Sequence, residues 1–107
     1  MNQKRYKLIV NVPVESADRL RAALGKAGAG KIGTYDYTSF STRGLGRFRP
    51  LKGAHPAIGT VGKLDKVEEE RIETVVEHEH LEQVLTALKK AHPYEEPVIE
   101  VIELVNV

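Results

Sequence analysis

The chain has 107 residues, a mass of 11.9 kDa, no Cys, no Trp and a formal charge of +1. That length accommodates one domain, here residues 1–107, and the lack of Cys excludes disulfides, thiolate nucleophiles and Cys-based zinc or iron–sulfur sites. The small net charge conceals an asymmetry: residues 1–63 carry twelve Lys/Arg against three Asp/Glu, and residues 64–107 carry four against twelve.

Lys7 to Val14 alternates, with Leu8, Val10, Val12 and Val14 on one side, and predicts a half-buried strand that Pro13 places at an edge or an end. Ala17, Leu20, Ala23, Leu24 and Ala27 recur at helical spacing, and Gly28 is a natural stop. Lys31 to Thr42 is dense in β-formers and predicts a long strand. Arg43 to Lys63 holds five glycines and two prolines and predicts a loop, since it suits neither a regular helix nor a central strand. Val67 to Val76 is a further strand. Leu81, Val84, Leu85, Leu88 and Ala91 mark a second helix, stopped by His92-Pro93, and Val98 to Val105 closes the chain as a strand.

An internal repeat supports this order. A shift of 64 residues lays Leu8 on Ile72, Val12 on Val76, Leu20 on Val84 and Leu24 on Leu88. Two copies of a βαβ unit predict an α+β, ferredoxin-like βαββαβ sandwich. Its four-stranded antiparallel sheet carries two helices on one face and a long arm between the second and third strands. The other face would expose Tyr35, Phe40 and the terminal valines, so a homo-oligomer or another domain is expected to cover it. With no apolar signal core and no run near the ~18–20 residues of a membrane span, a cytoplasmic chain without membrane contact is expected.

Three clusters could carry chemistry. Arg43, Gly44, Gly46, Arg47, Arg49 and Lys52, with His55 beyond them, place cations among glycines, a composition that can hold a small anion. It matches neither a dinucleotide fingerprint nor a P-loop, and the competing reading is a basic arm tip. His78-Glu79-His80 is a histidine pair with no third ligand spaced nearby, which favours a surface helix start over a metal. His92-Pro93-Tyr94-Glu95-Glu96-Pro97 gathers an imidazole, a phenol and two carboxylates on a stiff turn. It reads as a structural turn or as a divalent-metal set of His92, Glu95 and Glu96. No nucleophile–base pair is present, so a non-catalytic protein is expected, and no cofactor is required. The aromatics are few and not interleaved with a basic stripe, so nucleic acid is not an expected partner.

Gly28 to Asp36, Ser39-Phe40-Ser41, Gly44 to Pro50, Pro56 to Gly59 and Val67 to Glu73 resemble the inserted domain of the larger bacterial YqfO proteins, of the Nif-three-like (Ngg-interacting-factor-three-like) family. The likeness covers about residues 6–105 and implies a standalone version of that insert, without the family's two-metal centre. The insert in turn resembles the CutA and PII-type signalling proteins, which are ferredoxin-like trimers. His92-Pro93-Tyr94 with Pro97 is similar to a CutA motif, which implies metal at His92. The copper-linked Cys of CutA has no counterpart, and Val98 stands where that motif has Glu. The resemblance to PII implies a ligand site between subunits near the long loop. Arg43, Arg47, Arg49, Lys52 and His55 would line it, and His92 and Tyr94 would shape its wall. The resulting expectation is a trimeric regulatory or ligand-binding module. A CutA-like divalent-metal tolerance protein and a purely structural interaction protein are the alternatives.

Overall fold

A computed structural model describes residues 3–107. The elements are β1 (Arg5–Pro13), α1 (Val14–Ala27), β2 (Phe40–Phe48), β3 (Asp65–Glu77), a short 3-10 turn (His78–His80), α2 (Leu81–Ala91) and β4 (Ile99–Glu103). The sheet is antiparallel throughout and its strand order is β2-β3-β1-β4, the ferredoxin-like arrangement expected from the repeat.

The core lies between one sheet face and both helices. Leu8, Val10 and Val12 of β1 and Ile72 and Val76 of β3 pack on Ala17, Leu20 and Leu24 of α1 and Val84 and Leu88 of α2, all at most 2% exposed. The positions paired by the 64-residue shift are therefore the same positions that close the core. Pro13 ends β1, where its missing N–H costs the sheet nothing. Gly28 stops α1 at φ 115°, a left-handed conformation in which its N–H and that of Ala29 cap the carbonyls of Gly25 and Leu24. Among the described residues no helix is long and apolar enough to cross a membrane.

The second strand differs from the expectation. Lys31 to Ser39 is not extended into the sheet, and β2 runs from Phe40 into the glycine-rich stretch as far as Phe48. The β-formers of this segment make a closed loop instead. Gly30 donates its N–H to Val75, while the Thr38 N–H and hydroxyl both return to the Gly30 carbonyl, at 3.1 and 2.8 Å. Tyr37, at φ 56°, turns its ring onto Gly25 of α1, where any Cβ would lie 2.1 Å from the ring. Gly44 and Gly46 are tolerated because β2 is an edge strand.

The β2–β3 hairpin extends beyond the rest of the sheet. Pro13 pairs with Glu69, so Asp65 to Glu68 have only β2 beside them, with the long loop beyond Phe48. The molecule is accordingly elongated, 50 × 23 × 22 Å.

Candidate functional site

The root of the arm loop and the turn after α2 meet around a cavity of about 570 Å³. The turn is fixed first. His92 ends α2 and is 6% exposed; its Nε2–H donates to the Asn11 carbonyl at 2.8 Å and its Nδ1 accepts the Tyr94 N–H at 3.1 Å. Burial lowers its affinity for a proton, partly offset by the Asn11 carbonyl and the Glu69 charge. The ring is therefore a neutral peg between β1 and the turn.

Tyr94 stands against it, with ring centroids 4.9 Å apart, and reaches Phe48 at 6.4 Å. Its hydroxyl donates to Glu69 Oε2 at 2.8 Å. Burial and that carboxylate push the phenol well above its ordinary pKa, so it stays protonated. Glu95 then reaches the arm loop, accepting the His55 backbone N–H at 2.9 Å. Phe48, Arg49, Lys52, Tyr94, Glu95 and Glu96 line the cavity, with Leu51, Ala57 and Ile58 among its apolar wall.

The structure thus divides the residues singled out in the sequence. Arg49 and Lys52 share the cavity with Glu95 and Glu96. His55 joins this group through its backbone N–H bond to Glu95. Arg43, Gly44 and Gly46 lie apart, beside a smaller depression of about 220 Å³ with Asn11, Glu69 and Arg71. Arg47 is exposed on the arm and lines neither. Gly46 has a packing reason, since a Cβ there would sit 2.0 Å from Glu69 Oε1. Its bareness lets Glu69 stand between the strands and accept Tyr94.

The metal set of His92, Glu95 and Glu96 is not assembled. Both ring nitrogens of His92 are engaged by backbone, and Glu95 is bonded to the arm loop. Among the described residues the His/Asp/Glu group whose ligand atoms converge is Glu77, Glu79 and His80.

Among the described residues the acidic strand and the basic arm form no ion pair. Ion pairs among the described residues join Lys7 and Arg71 to Glu73, Arg21 to Asp18 and Glu70, and Arg71 to Glu100. Glu73 is held below the usual carboxylate range chiefly by its hydrogen bond from Lys7. Arg43, Arg47, Arg49 and Lys52 take part in none of these pairs. Glu69, which accepts the Tyr94 hydroxyl, and the apolar cavity walls Leu51, Ala57 and Ile58 were not singled out as site residues in the sequence. The hairpin register, which sets Glu69 opposite Gly44, is the signal that points to the former.

No family model matches the chain. It is 48% identical over 101 residues to a GTP cyclohydrolase 1 type 2 homolog of Halalkalibacterium halodurans, covering 94% of this chain and 27% of that protein. Its structure matches the Bacillus cereus protein related to NIF3 with a TM-score of 0.84 at 42% identity, covering 97% of this chain and 26% of the other. The periplasmic divalent cation tolerance protein CutA of Archaeoglobus fulgidus matches with a TM-score of 0.69 at 17% identity, over 96% of this chain and 86% of that one. The chain spans about a quarter of the length of the curated relatives it matches. In sequence it is the counterpart of one segment of these NIF3-related proteins, and in fold it is CutA-like.

Proposed function

We propose that the chain is a non-catalytic, ligand-binding regulatory module that works as a trimer, and that a small anionic metabolite occupies the cavity between the arm loop and the turn after α2. The observation that carries this reading is a pair of cations, Arg49 and Lys52, lining a 570 Å³ cavity without a carboxylate ion partner of their own among the described residues. Guanidinium and ammonium groups beside aromatic rings suit an anion with an apolar or planar part; of the two carboxylates on the same wall, Glu95 is already engaged by the His55 N–H. Binding is favoured over catalysis because the two obvious proton carriers are committed. The His92 nitrogens serve the backbone, and the Tyr94 hydroxyl keeps its proton and donates it in a hydrogen bond to Glu69.

Assembly is supported by the sheet face away from the helices. Phe40 and Ile102 lie there, 69% and 50% exposed, around the ionic row of Lys7, Glu73, Arg71 and Glu100. A second and third copy would cover that face. Arg43 and Arg47, outside the cavity of their own chain, would serve a neighbour's.

Two measurements test this. Light scattering on a sizing column should give three chain masses, and a monomer at micromolar concentration refutes the assembly. Calorimetric titration with pyrophosphate and ATP should give saturable binding. Removal of one charged hydrogen-bond donor costs about 1.5–3 kcal/mol, so Arg49→Ala or Lys52→Ala should weaken it roughly tenfold or more. No heat at millimolar ligand, or unchanged affinity in both variants, refutes the site.

A further inference from the structure

The far end of β3 from the arm carries the His78-Glu79-His80 triplet, which the cavity does not use. The two imidazoles are not a pair: His78 Nδ1 is bonded to the Tyr6 hydroxyl at 2.9 Å. A different set forms. Glu77 closes β3 with extended backbone, φ −74° and ψ 145°, and the 3-10 turn follows at once. That turn brings a carboxylate oxygen of Glu77, one of Glu79 and a ring nitrogen of His80 within 4.8 Å of one another. No ion pair among the described residues uses Glu77 or Glu79, so two carboxylates face each other without a cation between them.

The same partly buried histidine carries an unsatisfied atom. Nδ1 of His80 is buried and has no hydrogen-bond partner among the described residues. Buried polar atoms are nearly always partnered, and one that is not marks a group the fold itself leaves unsatisfied. The ring is also held in place, since a Cβ on Gly28 would lie 3.0 Å from its Cγ. Glu79 also lines an open depression of about 420 Å³ with Gln3, Lys4 and His78.

We infer that Glu77, Glu79 and His80 bind a divalent first-row transition ion, with Zn²⁺ as the reference. One imidazole and two carboxylates are the nitrogen and oxygen donors such ions accept, in the three-ligand form that leaves the remaining positions to water. Mg²⁺ and Ca²⁺ favour oxygen alone and fit the set less well. Ligands about 2.0–2.2 Å from one ion stand no more than about 4.4 Å apart, so atoms within 4.8 Å of one another need at most a small contraction. Rotation of the two Glu side chains supplies that contraction.

Zn²⁺ titration of the full chain, by calorimetry or chelator competition, tests the site and should give one ion per chain. His80→Ala removes a ring packed on Gly28 and puts the fold at risk, so the carboxylates carry the test, with circular dichroism confirming that the variants fold. Glu77→Gln and Glu79→Gln should each weaken Zn²⁺ by at least about tenfold, while His78→Ala leaves it unchanged. No binding at millimolar Zn²⁺, unchanged affinity in both Glu variants, or loss of binding in His78→Ala instead overturns the inference.

Discussion

Gly46→Ala tests whether the arm is coupled to the cavity through Glu69. The new methyl carbon would lie 2.0 Å from Glu69 Oε1 and 2.5 Å from its Cδ, so the carboxylate must swing away. A free glutamate does this at little cost. This one is tied, because Tyr94 donates to its other oxygen at 2.8 Å. Breaking a hydrogen bond to a charged acceptor costs about 1.5–3 kcal/mol. Replacing a strand glycine by alanine returns about 0.5–1 kcal/mol. The net loss is about 0.5–2.5 kcal/mol, or a fall in Tm of roughly 2–20 °C for a domain of this size. The same substitution in a Tyr94→Phe background should instead be neutral or stabilising, since the tie is already gone. Thermal and urea unfolding of the four proteins, at one fixed concentration, give the coupling energy. An equal cost of Gly46→Ala in both backgrounds refutes the reasoning.

Burial of neutral His92 makes stability depend on pH. Its pKa in the folded chain is below the ordinary value of 6.5, so the unfolded chain takes up the proton first. The contribution is complete above about pH 6.5, declines as the pH falls toward the folded value, and levels off below it. Urea unfolding at about pH 7.5 and about pH 5 should show this decline, and His92→Gln should flatten it; identical pH dependence in the two proteins counts against the assignment. Gly25→Ala improves helix propensity by about 1 kcal/mol but displaces the Tyr37 ring, which would sit 2.1 Å from the new carbon. Amides of residues 28–39 should therefore exchange faster while those of α1 do not, and unchanged exchange with a raised Tm would show that the ring is not held there.

The core was legible because it repeats. Leu8, Leu20, Ile72 and Val84 declare their faces by period alone, and the 64-residue shift ties the two halves together. The second strand was not, because β-propensity measures fit to a pleated surface and Lys31 to Ser39 never reaches one. Its fate is decided by contacts with Thr74 and Val75, far away in sequence, and by the packing of Tyr37 on Gly25 of α1. The same displacement hid the site. Moving β2 into the glycine-rich stretch puts Phe48 at the mouth of the loop, so that Arg49 and Lys52 face a turn more than forty residues on. Charge alone grouped Arg43 and Arg47 with them. Position along the hairpin separates them: Arg43 and Arg47 lie within β2, whereas Arg49 and Lys52 follow its end at Phe48 and border the cavity.

The four-residue overhang of β3 beyond β1 gives the chain a gradient of local stability. Amides of Leu8 to Val10, with strands on both sides, open only with the whole fold. Those of Leu45 to Phe48 belong to a two-stranded ribbon, which is marginal by itself in water. Protection of these arm amides against hydrogen exchange is therefore set by whatever lies against the ribbon. Their exchange rates, followed as a function of protein concentration, separate a chain that holds its arm alone from one whose arm is ordered by its neighbours.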